Sequence, residues 1–203
     1  MLGKKPSGKH DFIRQPVGGF LRNLGSDSVS PGGGAAASLT SALGASLVEM
    51  VSRINNKRTP SVNFQKKISR LEKNRIRLGE LMRLDTEAFL DLSRFPKEKK
   101  QGVQYQNALK RAAGVPLEIC ELAVESLKIG RSEVGRTSRW LASDLSEAGI
   151  LLEASFRSGR LNVEINLRSI RDKLFLRRTQ SRLNLLEKKR AALNKNLNQA
   201  LNP

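Results

Sequence analysis

The chain has 203 residues, with 37 Lys+Arg against 19 Asp+Glu and a formal net charge of +18. One cysteine, Cys120, excludes an internal disulfide framework and a Cys-cluster metal site, and the one histidine, His10, lies outside the periodic part of the chain, so neither histidine-based catalysis nor a metal is expected. The length fits one domain able to bury roughly 70% of its unfolded surface, and 4% aromatics leave little with which to stack nucleic-acid bases.

Residues 1–19 read as a flexible basic lead, and the domain is expected over 20–203, beginning with a short helical piece around Phe20, Leu21 and Leu24. The lead lacks the apolar core of a secretory signal, which predicts a cytoplasmic protein. Pro31-Gly32-Gly33-Gly34 then runs straight into a helix. Leu39, Leu43, Leu47 and Val51 recur every four residues on it, among many Ala, Ser and Gly. Small side chains let another backbone come close, so this helix belongs at the centre of a bundle. Its apolar stretch, Ala35 to Val51, is broken by Ser38, Thr40, Ser41, Ser46 and Glu49, and no membrane span is expected. Asn55 to Pro60 should end it.

The next helix spans about Val62 to Ser93, with a 4-3 seam of Phe64, Ile68, Leu71, Arg75, Leu78, Met82, Asp85, Phe89 and Leu92. Arg75 and Asp85 are the exceptions on an otherwise apolar seam. Asp85 lies one turn from Met82 and one from Phe89, so it points inward, where a carboxylate must pair or hold a proton. Phe95-Pro96 ends the helix. Another follows over about Val103 to Leu127, with Pro116 expected to kink or split it. Residues 129–139 read as a loop. Asp144 and Glu147 have capping-box spacing, which predicts an N-cap at Ser143 or Asp144. The helix after it carries Asn162 and Asn166 on one face, and a last helix runs from about Arg171 to Leu201. No alternating stretch finds a strand partner, and the fold is predicted as an all-α, single-domain bundle of five to seven helices.

Ten Lys/Arg fall in residues 53–83 and ten in 168–195. Such runs form either solvated helix faces or a field that attracts an anion. The glycine-started helix leaves first-turn N–H groups free for carboxylate or phosphate. Asn162 and Asn166 either bond a neighbouring backbone or read a heterocycle's edge. Cys120 reads as inert core.

The ordered set FLRNLGSDSVSPGGG (20–34), ALGASLVEMV (42–51), DTEAF (85–89), RFPK (94–97), VPLEI (115–119), SD (143–144) and NVEINL (162–167) resembles the cyclodeaminase/cyclohydrolase family of tetrahydrofolate enzymes. The resemblance implies an all-helical homodimer acting on one-carbon tetrahydrofolates, with Asp85 as the catalytic residue. It implies a folate site that includes Gly32, Gly33, Gly34, Lys57, Arg94, Lys97, Ser143, Asp144, Asn162 and Asn166. A tetrahydrofolate derivative would be the substrate, with no tightly bound cofactor. The expected reaction is hydrolysis of 5,10-methenyltetrahydrofolate to 10-formyltetrahydrofolate. The alternative is cyclisation of 5-formimidoyltetrahydrofolate with loss of ammonia, and the absence of a formiminotransferase segment ahead of the domain tilts the expectation to hydrolysis. A basic helical nucleic-acid-binding or scaffold protein without catalysis is the weaker reading from another class.

Overall fold

A computed structural model of the chain describes residues 11–96, 99 and 102–201, with side chains to residue 194. Six α-helices account for most of them: α1 (Val17–Leu24), α2 (Gly33–Arg58), α3 (Val62–Ser93), α4 (Val103–Glu133), α5 (Ala142–Leu167) and α6 (Lys173–Leu201). Short 3-10 turns lie at Phe12–Arg14, Val134–Arg136 and Arg139–Leu141. No strand occurs among the described residues.

The centre of the bundle is α2, flanked by α3 and α5 with α4 behind it. Its small residues bring the neighbours close. A Cβ on Gly44 would sit 2.7 Å from Leu152, so α5 lies nearly against the α2 backbone. Ser38 donates to the Leu78 carbonyl at 2.6 Å, and Ser155 donates to the Ala37 carbonyl at 2.8 Å, tying α2 to α3 and α5. By length and composition alone α2 could cross a bilayer, contrary to the expectation from its interrupted apolar stretch. Most of it is instead buried among α3, α4 and α5, a position that explains its apolar composition.

Three boundaries differ from expectation. Helix α2 continues to Arg58, because Asn55 is buried and donates to Glu133 at 3.1 Å instead of breaking the helix. Helix α4 runs to Glu133. Gly130, read as a loop residue, packs against Val48 and Leu145, where a Cβ would lie 3.2 and 3.5 Å from them. Helix α5 starts at Ala142, with Leu141 as N-cap and no capping side chain, so Ser143 and Asp144 sit in its first turn.

The basic runs on α3 and α6 clasp an acidic stripe on α4. Arg70 pairs with Glu125 and Arg77 with Glu118, both at 2.7 Å, and Arg182 of α6 pairs with Glu121 at 2.6 Å. Arg75, the cationic exception on the α3 seam, reaches Glu49 of α2 at 3.1 Å. These pairs tie the helices together, and the excess of 37 Lys+Arg over 19 Asp+Glu stays on the surface.

Candidate functional site

The N-terminus of α2, the last third of α3, the first third of α4 and the end of α5 enclose a cavity of about 330 Å³. Its lining includes Gly32, Gly33, Gly34, Asp85, Thr86, Phe89, Ala112, Asn162, Ile165 and Asn166. Ser30 Oγ donates to Thr86 Oγ1 at 2.9 Å and so fastens the glycine turn to α3. A larger groove of about 710 Å³ runs between α3, α4 and α6, lined by the ion-paired clasp together with Lys128, Lys189, Leu186 and Leu193.

Asp85 is the only ionisable side chain among the described residues that line the smaller cavity. Its carboxylate accepts a hydrogen bond from the Ala35 N–H in the first turn of α2. Gly32, the N-cap, has no side chain to cap that turn, so a residue from another helix does so. The contact depends on Gly34, because a Cβ there would overlap the Asp85 carboxyl group. Burial pushes the Asp85 pKa from 3.8 up to about 6, with the Ala35 hydrogen bond pulling the other way. The turn expected to hold an external anion therefore already gives its Ala35 N–H to the protein's own carboxylate.

The two asparagines divide the alternatives left open by the sequence. Pro116 lies inside α4 without splitting it. It lacks the N–H that would bond the carbonyl four residues back, that of Ala112. Asn166 fills the gap, its Nδ2 donating to the Ala112 carbonyl and to the Asn162 carbonyl, both at 3.0 Å. Among the described residues, by contrast, the Asn162 side chain takes no hydrogen-bond partner. Its Oδ1 lies 4.0 Å from where a Gly33 Cβ would be, facing the cavity with donors and acceptor available.

Of the residues expected in one folate site, Asp85, Gly32, Gly33, Gly34, Asn162 and Asn166 come together within this chain. Lys57 does not: it is exposed near the C-terminal end of α2, and 24 residues of helix put it about 36 Å from Gly33. Ser143 and Asp144 open α5, about 28 Å along the helix from Asn162. Arg94 is exposed at the end of α3 and pairs with Asp91 at 3.5 Å. Lys97 lies outside the described residues. The order of motifs suggested Lys57, Ser143 and Asp144, and that order does not encode which end of a long helix a motif occupies. Thr86, Phe89 and Ile165 were missed as lining residues. Phe89 follows Asp85 by four positions, one turn along the same face, a spacing that could have found it. Among the described residues no three His, Cys, Asp or Glu side chains gather closely enough to hold a metal ion. The Cys120 thiol is buried, which pushes its pKa up to about 12 and keeps it unreactive.

Known proteins share this sequence and architecture. The chain is 30% identical over 190 residues to a methenyltetrahydrofolate cyclohydrolase from Methylorubrum extorquens, covering 88% of this chain and 91% of that one. It is 29% identical over 191 residues to the formimidoyltransferase-cyclodeaminase of Sus scrofa, of which it covers 35%. The crystal structure of formiminotetrahydrofolate cyclodeaminase from Thermotoga maritima superposes with a TM-score of 0.87 at 26% identity, covering 93% of this chain and 96% of that one. A family model described as formiminotransferase-cyclodeaminase matches residues 16–185, most of the bundle and every helix that builds the cavity, and the chain belongs to that family.

Proposed function

We propose that the protein is a one-carbon tetrahydrofolate enzyme that hydrolyses 5,10-methenyltetrahydrofolate to 10-formyltetrahydrofolate. The observation that carries the reading is Asp85, a lone carboxylate with a pKa near 6 in a small, largely apolar cavity. Water attacks the cationic amidinium carbon, and Asp85 takes the proton. The neutral adduct then opens. The carbon–N5 bond breaks, protonated Asp85 delivers its proton to N5, and the adduct's hydroxyl proton leaves to water as the formyl group forms on N10. Desolvation strengthens the pull of the carboxylate on the cationic substrate before attack. Asn162 offers its amide to the pterin edge, and Gly32–Gly34 let the ring approach the backbone. Water is the only co-reactant, so the chemistry calls for no tightly bound cofactor. A homodimer is part of the proposal, supported by exposed apolar side chains such as Leu43, Ile76 and Ile165.

The test is to mix the purified protein with methenyltetrahydrofolate and follow loss of its near-ultraviolet absorbance, with Asp85→Asn as the control. A wild-type rate no faster than the control refutes the proposal. The names of the porcine and Thermotoga relatives favour a second reading, cyclodeamination of formimidoyltetrahydrofolate with the same aspartate moving the proton. Ammonia release from that substrate, faster than methenyl hydrolysis, would select it.

A further inference from the structure

Helix α6 is the most basic element of the fold, with eight Lys/Arg in its sequence against one acid, Glu187. The bundle uses two of the cations. Arg182 pairs with Glu121 of α4, and buried Arg190 pairs with Glu153 and Glu187. Five others, Lys173, Arg177, Arg178, Lys188 and Lys189, are exposed and pair with no carboxylate among the described residues. At about 100° per residue they fall within an arc of about 160°, opposite the stripe of Thr179, Leu183, Leu186 and Arg190 that α6 buries. The arc runs about 24 Å from Lys173 to Lys189, and no acid stands on it. Exposed Lys128 of α4 and Lys189 both line the groove of about 710 Å³ beside α6, so the patch continues onto the neighbouring helix. The match to the family model stops at residue 185, short of Lys188 and Lys189.

We propose that this outward face of α6 binds the phosphate backbone of a nucleic-acid duplex without reading its sequence. Like charges gathered on one rigid face attract a polyanion, and the polyanion gains by releasing its own condensed counterions. A duplex presents a phosphate about every 3.4 Å on each strand, so the arc spans about seven base pairs and its five cations have phosphates within reach. The arc selects the backbone over the bases, because it carries no aromatic side chain on which a base could stack. It also disfavours a lipid surface. A helix lying in a membrane interface turns a continuous apolar face to the acyl boundary, whereas the apolar face of α6 is buried in the bundle and its outward arc exposes only Leu174 and Leu185. Among the described residues none from α6 lines the Asp85 cavity, so a duplex on this face leaves that site open. The inference goes beyond the folate reading and does not rest on it.

The full chain is titrated into a fluorescent DNA duplex of about 20 base pairs, and anisotropy is read across a series of salt concentrations. With five phosphates neutralised, Kd should be on the order of 1 µM at about 50 mM salt and weaken about 500-fold by about 200 mM, a log–log slope of about −4.5. A duplex of unrelated sequence should bind equally well. Arg177→Gln/Lys188→Gln removes two of the five contacts and should bring the slope to about −2.7. Lys66→Gln/Lys73→Gln removes the same charge from exposed positions on α3 and should leave the slope at about −4.5. All four positions are exposed, so both variants should melt with the wild type. Three results would each overturn the proposal: no binding at 50 mM salt, the same slope in both variants, or tighter binding to phosphatidylserine–phosphatidylcholine vesicles than to the duplex. No folate enters the measurement, so its outcome is separate from that of the turnover assay.

Discussion

Replacing Asp85 by Asn separates the cost of the buried carboxylate from its use. The folded pKa of about 6 lies above the ordinary 3.8, so folding favours the protonated form. Below pH 3.8 both states hold the proton and the residue costs nothing. As pH rises through 6 the folded protein must carry a desolvated charge, and stability falls. The gap between 3.8 and about 6 corresponds to about 3 kcal/mol at neutral pH. The Asn oxygen still accepts from Ala35, and no charge is left behind. Asp85→Asn is therefore expected to be more stable than wild type by up to about 3 kcal/mol at pH 8, a rise in Tm of roughly 6–12 °C for a chain this size. At pH 4 the advantage shrinks to about 0.5 kcal/mol. The same variant should lose about a thousandfold in turnover, the range of a general base, while wild-type kcat/KM rises with pH through about 6. Thermal melts at the two pH values, read beside the methenyltetrahydrofolate assay, check both halves. An advantage of equal size at pH 4 and pH 8, or none at either, would refute the argument from burial.

Gly34→Ala should push the Asp85 carboxyl group off Ala35, lowering kcat about a hundredfold and stability by about 1–3 kcal/mol, read by steady-state kinetics and thermal melts. Asn166→Ala orphans the Ala112 carbonyl and should cost about 1–2 kcal/mol in urea unfolding, whereas Asn162→Ala should leave stability within about 0.5 kcal/mol and raise KM. Glu133→Ala strips Lys67 and Asn55 of their shared buried partner, at 2.7 and 3.1 Å, and should cost about 3 kcal/mol by denaturant titration.

The helices were legible because periodicity is local, and Asp85 stood out because it sits where α3 wants an apolar residue. What the sequence could not supply was each exception's partner. Arg75 finds Glu49 and Asp85 finds the Ala35 N–H, both on α2, contacts decided by packing between helices. The misread boundaries share a cause. Asn55 and Gly130 are punctuation by local propensity, yet one is buried against Glu133 and the other makes room for Val48 and Leu145. Tertiary contacts overrode both, lengthening α2 and α4 where they meet. Pro116 shows the converse: its effect is a carbonyl left free for Asn166 on another helix, which the sequence of α4 alone does not reveal.

The placement of Asp85 also explains why this fold uses so many small residues at one helix start. A carboxylate held against a helix N-terminus is ordinarily driven below its normal pKa by the N–H groups and the dipole. Here the pKa still rises, so desolvation outweighs the one hydrogen bond from Ala35. A side chain at position 34 would force the carboxyl group away toward water, and a polar one at position 32 would cap α2 without needing Asp85 at all. The bare backbone keeps the acid close, poorly hydrated and supplied with a single donor. That combination places its pKa near 6, where it is ionised at neutral pH yet remains basic enough to take a proton from attacking water.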